Sequence, residues 1–219
     1  MKLKSFGCSF IFGSELHDDG YAQIKATASQ FTWPALLAKH LGYTYECYAQ
    51  PGSGNQRICE QILNQIATGE PAVYVVGWTW IERFDYIEKD SDRWRTITAM
   101  DTSDIADYYY KNMHSQYHDK LSSLSYITLA LHELEKNNCK FLMTHMDDLL
   151  WETKYHLSAA MQLMQQKLLP HLYNFDGDNF LEWSRKQDFP IGSRGKHPLE
   201  QAHQAAADHA RHHWIDRLI

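Results

Sequence analysis

Short runs of apolar residues without polar alternation recur along the chain, and longer stretches with helical periodicity separate them. The apolar runs are "KLKSFGCSF", "YTYECYA", "PAVYVVGWTW" and "CKFLMTHMDD". An uninterrupted apolar run of this length is typical of a strand that is buried on both faces of a parallel sheet. Because predicted strands alternate with predicted helices, we expect an α/β fold: a three-layer α/β/α sandwich with a mostly parallel, flavodoxin-like central sheet.

The helices are marked by their ends as well as by their periodicity. In "TWPALLAKHLG", Thr32 suits the N-cap, Pro34 suits the first turn and Gly42 ends the helix. An excursion is expected between residues 81 and 100, with "WRTITAM" as its best strand. The other predicted helices are "QRICEQILNQIATG", a region from about 103 to 137 that is broken near 114–118, "LSAAMQLMQQKLLPHLY" with a bend or end near Pro170, "NFLEWSRKQ" and "LEQAHQAAADHARHHWIDRLI".

Composition narrows the class of protein. A length of 219 residues suits one domain spanning 1–219, and 44% hydrophobic residues supply a large core. A net charge of -6 without a long basic run disfavours nucleic-acid binding. No stretch approaches the roughly 20 apolar residues of a membrane span, so we expect no membrane insertion.

The cysteines and the N-terminal residues bear on localisation. Four scattered cysteines without a Cys-x-x-Cys pair indicate reduced thiols rather than a disulfide framework. "SFGCSF" includes the Gly-Cys pair of a lipoprotein cleavage site, but too few residues precede Cys8 for a signal peptide. We therefore expect a cytoplasmic protein.

Small, polar or titratable residues follow the predicted strands. In parallel α/β sheets, ligands bind beyond the carboxyl ends of the strands. The residues expected at that edge are Ser9, the turn 52–55, the segment 77–79, His145 and the loop 196–198. This convergence predicts a site at one edge of the sheet.

The residue types at that edge suit acyl transfer, which needs a nucleophilic hydroxyl, a base and donors for the oxyanion. Ser9 follows a buried strand and is the candidate nucleophile. His197, between a glycine-containing loop and Pro198, is the candidate base. The glycines of "PGSGN" can present backbone N–H groups.

In this order, the motifs resemble the SGNH, or GDSL-type, hydrolase superfamily. "GCSF" is similar to the block that carries the nucleophile, and "GSGNQ" to the second block, where Gly54 is the best match for the oxyanion glycine, Gly52 a weaker one, and Asn55 a supporting residue. "VVGWTW" stands at the third block and "RGKHPLEQAH" at the fifth. The resemblance covers nearly the whole chain, and it implies a Ser9–His197 pair and an oxyanion hole formed by Ser9, Gly54 and Thr79.

Two positions depart from the family pattern. Thr79 stands where the family has an oxyanion asparagine, and Arg194 stands where it has an aspartate three residues before the histidine. That carboxylate normally orients the imidazole. Asp188, Asp147 or a backbone carbonyl could replace it.

The resemblance implies a serine-dependent esterase that acts on an ester of a small molecule or carbohydrate, such as an O-acetyl group, without a metal or organic cofactor. Arg194 favours an alternative, a catalytically inactive SGNH-like domain that binds carbohydrate or protein. Arg83 could bind an anionic substrate group but is more simply a surface arginine. His209 and His213 have a spacing that suits zinc, yet they are expected to lie on a mostly solvated helix face.

Overall fold

The computed structural model describes residues 1–18 and 27–218. Four parallel strands form its central sheet in the order β2-β1-β3-β6. They are β1 (Lys2–Phe6), β2 (Thr44–Cys47), β3 (Ala72–Trp78) and β6 (Lys140–His145). A single parallel bridge between Met143 and Leu172 extends the sheet beyond β6. The order of the first three strands is that of a flavodoxin-like sheet, and the predicted fold class is confirmed.

Helices cover both faces of the sheet, as the apolar strands require. The helices are α1 (Ser9–Phe12), α2 (Trp33–Leu41), α3 (Asn55–Ala67), α4 (Asp104–Asn112), α5 (Gln116–Lys136), α6 (Ala159–Leu168), α7 (Phe180–Lys186) and α8 (Glu200–His213). Short 3-10 turns occupy Asp148–Leu150, Leu169–His171 and Ile215–Arg217. One apolar core lies between the sheet and α2, α7 and α8, and the other between the sheet and α3, α5 and α6.

Local sequence accounts for the helix boundaries. The Thr32 side chain accepts a hydrogen bond from the Ala35 N–H, and Gly42 ends α2 with a φ of 67°. Four alanines on one face of α8 are fully buried and allow close packing against α2: Ala202, Ala206, Ala207 and Ala210. The expected break between α4 and α5 falls at 113–115.

The predicted excursion after β3 forms a small separate sheet. Strands β4 (Phe84–Ile87) and β5 (Trp94–Ile97) pair antiparallel, with Tyr86 opposite Arg95. The strand predicted at "WRTITAM" is β5. Within the described ranges, no helix combines the length and apolar character needed to cross a bilayer.

Candidate active site

Ser9 follows β1 at a sharp turn that glycine makes possible. The backbone of Gly7 has a φ of 157°, and a Cβ there would lie 2.9 Å from the Gly77 carbonyl oxygen and 2.6 Å from Ile11. The chain can therefore turn directly from the strand into α1, with Cys8 as N-cap and Ser9 as the first helical residue. The first strand ends at Phe6, so Ser9 lies beyond the carboxyl edge of the sheet.

His197 lies on the loop between α7 and α8 and points at Ser9. Its Nε2 is 2.8 Å from the Ser9 Oγ. The loop is held by a hydrogen bond of 2.7 Å from the Gly192 N–H to the His197 carbonyl oxygen. The Phe10 ring, with its centroid 4.7 Å from that of the imidazole, packs beside it. The structure thus brings together two residues that are 188 positions apart in sequence.

Glu15 occupies the third position of this hydrogen-bonded chain. Its Oε2 lies 2.7 Å from the His197 Nδ1. The carboxylate also accepts backbone N–H groups, from Arg194 to Oε1 at 2.7 Å and from Gly195 to Oε2 at 2.8 Å. A Cβ at Gly195 would overlap the His197 ring, so glycine at that position allows the close approach. Serine, histidine and glutamate therefore form one continuous hydrogen-bonded chain.

The electrostatics of Glu15 follow from these partners. Burial alone would raise its pKa, but the His197 side chain and the backbone N–H groups of Arg194, His197 and Gly195 outweigh it and lower the pKa to about 2. The ionised carboxylate can only accept hydrogen bonds. In neutral His197, Nδ1 therefore carries the proton, which leaves the Nε2 lone pair to accept from the Ser9 hydroxyl.

Sequence reasoning missed Glu15 because the family pattern places the acid before the histidine. Glu15 instead follows the nucleophile by six residues, in "SFIFGSE". Its left-handed backbone, with a φ of 71°, turns the side chain toward the other loop. The one local feature that could have pointed to Glu15 as the partner of His197 is its position just after the nucleophile block, close to the turn at Gly13.

The side chains expected to replace the missing aspartate are not hydrogen-bond partners of His197 in the described structure. Asp147 caps the 3-10 turn by accepting from the Leu149 N–H and also accepts from the Ile81 N–H. Asp188 lies just past the end of α7, where its own N–H donates to the Arg185 carbonyl. At the expected acid position, Arg194 contributes its backbone N–H to Glu15. Glu15, rather than any of these side chains, contacts His197.

The residues predicted to complete the oxyanion hole form a buried network. The Gly54 N–H donates to Asp85 Oδ1 at 3.0 Å. Asn55 accepts from the Thr79 N–H and donates to the Thr79 carbonyl and to Ser123. Thr79 is fully buried, and its Oγ1 has no partner among the described residues. In this arrangement the Gly54 amide faces a carboxylate, so it would have to leave Asp85 to serve an oxyanion.

A cleft of about 720 Å³ opens over Ser9 and His197. Gly52 lines it, whereas Gly54 and Thr79 are absent from its walls. The walls combine polar and apolar groups: Ser9, Ser14, Glu15, Pro51, Gly52, Gly192, Ser193, Arg194, Gly195, His197 and Leu199. This volume lies within the range of about 300–1,000 Å³ that is usual for small-molecule sites.

Arg83 does not line this cleft. Its guanidinium donates to the Ser53 carbonyl at 3.0 Å and lies 4.8 Å from the centre of the Trp80 ring. Arg83 thus ties the turn that contains Gly52 to the segment after β3. In this structure its recorded contacts are with Ser53 and Trp80 rather than with the cleft.

The two α8 histidines with zinc-like spacing differ in burial: His213 is exposed, as expected, whereas His209 is not. The His209 side chain is only 13% exposed and packs against Phe175 and Trp214, and burial lowers its pKa. The expectation of a solvated face is therefore wrong for His209. In the described part of the chain, no three histidine, cysteine or acidic residues are grouped so as to hold a metal ion.

Neither a family model nor a curated protein matches the sequence. Solved structures do match. A psychrotrophic esterase EstA from Pseudoalteromonas sp. is 10% identical with a TM-score of 0.53, and the match covers 98% of each chain. A lipolytic protein of the G-D-S-L family from Veillonella parvula is 12% identical with a TM-score of 0.52, again over 98% of each chain.

A third structure extends the comparison to carbohydrate esterases. The family 2 carbohydrate esterase of Corynascus thermopiles, which also carries a carbohydrate-binding domain, is 16% identical with a TM-score of 0.55. The match covers 99% of this chain and 66% of that one. The chain therefore has the fold of SGNH/GDSL-type hydrolases, and the resemblance drawn from sequence is confirmed at the level of fold.

Proposed function

We propose that the protein is a serine esterase of the SGNH/GDSL type in which Ser9, His197 and Glu15 form the catalytic triad. The observation that carries this proposal is the continuous chain from Ser9 Oγ to His197 Nε2 at 2.8 Å and from His197 Nδ1 to Glu15 at 2.7 Å. These are the contacts that general-base activation of a serine requires. The cleft above Ser9 leaves room for an ester.

In the proposed reaction, the Ser9 hydroxyl attacks the ester carbonyl while His197 takes its proton. His197 then gives that proton to the departing alcohol, and an acyl group remains on Ser9. Water deprotonated by His197 attacks the acyl-enzyme, which releases the acid and restores Ser9. Glu15 holds the imidazole in the required tautomer and stabilises its positive charge.

We assign the oxyanion to backbone donors. The Ser9 N–H belongs to the first turn of α1, where no preceding helical carbonyl is available to accept it. Gly52 lines the same cleft and supplies the second candidate N–H. We prefer Gly52 to Gly54 because the Gly54 amide donates to Asp85.

A non-catalytic binding domain was favoured by the arginine at the acid position. Glu15 supports the enzyme over that alternative because it supplies a carboxylate to His197 from another part of the chain. The preferred substrates are short-chain esters of a small alcohol or a sugar, which suit a cleft with serine and leucine walls. Esterases with this fold include a family 2 carbohydrate esterase.

The test is to treat the purified protein with a fluorophosphonate probe and to locate the adduct by peptide mass spectrometry. We expect an adduct on Ser9 that is lost in Ser9→Ala and His197→Ala. Ser193→Ala, which alters another serine of the same cleft, is the matched control and should label normally. Absence of an adduct, under conditions that label a known serine hydrolase, would favour the binding domain.

A further inference from the structure

The cleft contains a positive charge that the proposed chemistry does not use. Its charged lining residues, apart from titratable His197, are Glu15 and Arg194. Glu15 is surrounded by hydrogen-bond donors from His197, Arg194 and Gly195. The Arg194 side chain has no equivalent role, because only its backbone N–H takes part in the triad.

The placement of Arg194 is fixed by the same contacts. The hydrogen bond of 2.7 Å from its N–H to Glu15 holds its backbone beside the triad. The residue is exposed and lines the cleft. Among the described residues, no carboxylate lies within 4.0 Å of its guanidinium.

We propose that Arg194 selects esters that carry a carboxylate or a similar oxyanion near the scissile bond. This inference rests on the proposed esterase function and names its substrate class. A guanidinium presents a planar set of donors that matches a carboxylate in bidentate geometry. Lys196, two residues further along the loop, is also exposed.

The replacement of the family's aspartate makes this arrangement possible. With the carboxylate supplied by Glu15 from the loop after α1, position 194 contributes its backbone N–H to the triad, and its exposed side chain is free to extend toward a ligand in the cleft that the residue lines. One loop residue thereby orients the acid and offers a cation to the substrate. A neutral ester would leave this guanidinium without a partner.

Two matched ester pairs test the proposal. Mono-4-nitrophenyl adipate and its methyl ester differ by a methyl group that removes the charge on the acyl half. In 4-acetoxybenzoate and its methyl ester, the methyl group removes the charge on the alcohol half. For each pair, the ratio of kcat/KM for the anionic to the neutral ester is measured in the wild type, Arg194→Gln and Arg93→Gln. Arg93 is exposed on the turn between β4 and β5 and controls for the loss of one positive charge.

For at least one pair, Arg194→Gln should lower this ratio by up to about fivefold at low ionic strength, mainly through KM, because an exposed ion pair contributes up to about 1 kcal/mol. Added salt should reduce the wild-type ratio toward that of the variant. The inference is overturned if both ratios are unchanged in Arg194→Gln, or if Arg93→Gln lowers them equally.

A binding measurement separates this inference from the esterase proposal. In Ser9→Ala, calorimetry compares 4-acetoxybenzoate with its methyl ester, with and without Arg194→Gln. If the anion binds in a way that depends on Arg194, but Ser9 of the wild type is not labelled by the fluorophosphonate, the role of Arg194 stands and the esterase proposal is rejected. If the wild type hydrolyses esters but neither binding nor kcat/KM depends on Arg194, the esterase proposal stands and the role of Arg194 is rejected.

Discussion

Replacing Glu15 by glutamine changes the charge of the triad with little change in shape. The glutamine amide oxygen can remain near the His197 Nδ1. Its NH₂ group then faces the Arg194 N–H, which in the wild type donates to Glu15 Oε1. The substitution thus opposes two donors and removes the negative charge beside the imidazole. We expect Glu15→Gln to retain the fold and to lose most of its activity.

The magnitude follows from the same contacts. Lowering the pKa of Glu15 from its ordinary value of 4.5 to about 2 corresponds to at most about 3 kcal/mol of preference for the ionised form. Because the folded pKa is the lower one, this stability is present above pH 4.5 and is lost as the pH falls toward 2. For catalysis, neutralising the acid of a serine triad costs up to about 10⁴ in kcat, so we expect a loss of about 10²–10⁴.

The assay is kcat on a neutral 4-nitrophenyl ester at pH 7.5, with the rate of fluorophosphonate labelling and the free energy of unfolding measured on the same samples. Glu200→Gln is the control. The Glu200 carboxylate accepts a hydrogen bond from the His17 backbone N–H and lies 2.9 Å from the His17 Nδ1, but it is not a hydrogen-bond partner of His197. If Glu15→Gln keeps kcat within about threefold of Glu200→Gln, the assignment of Glu15 to the triad is refuted.

Two further predictions concern buried polar groups. Asp85→Asn should lower the free energy of unfolding by about 1–3 kcal/mol, because Asp85 accepts hydrogen bonds from the Gly54 and Arg57 N–H groups and from Thr96. Urea titration measures this loss. A loss no larger than that of Asp90→Asn, at an exposed position, would contradict the prediction. His203 is fully buried with its pKa lowered to about 3, so the unfolded chain binds the proton first and stability falls as the pH drops below 6.5. From pH 7.5 to 5, the free energy of unfolding of the wild type, measured by urea titration, should fall by about 2 kcal/mol more than that of His203→Gln. Equal decreases in the two proteins would exclude this.

The order of strands and helices was predictable because each element carries its own signal. An apolar run such as that of β3 can be buried only inside a covered sheet, and Thr32 and Gly42 define the ends of α2 by their local chemistry. Ser9 could be placed at the carboxyl edge because parallel strands end together, and His197 could be placed beside it from the family-like motif "RGKHPLEQAH". These features depend on neighbours in sequence or on a general rule of topology.

Contacts between distant segments were not predictable in this way. The residues around Gly54 do not predict that its N–H donates to Asp85, which is 31 residues away in sequence. The spacing of His209 and His213 suits a metal site, and His209 was expected on a solvated helix face. Phe175 and Trp214, which lie outside α8, instead pack against the His209 ring. Such pairings depend on which loops meet, and that is decided by packing of the whole chain.

The α/β class, the ends of α2 and the edge of the sheet that carries Ser9 could be inferred from the sequence. Which carboxylate contacts His197 depends instead on how distant loops meet in space. Glu15 can reach the imidazole because a left-handed backbone turns its side chain across to a loop some 180 residues away, and because glycine at position 195 leaves room there. A hydrogen bond between two loops depends on their relative position in space, which the identity of neither loop specifies alone.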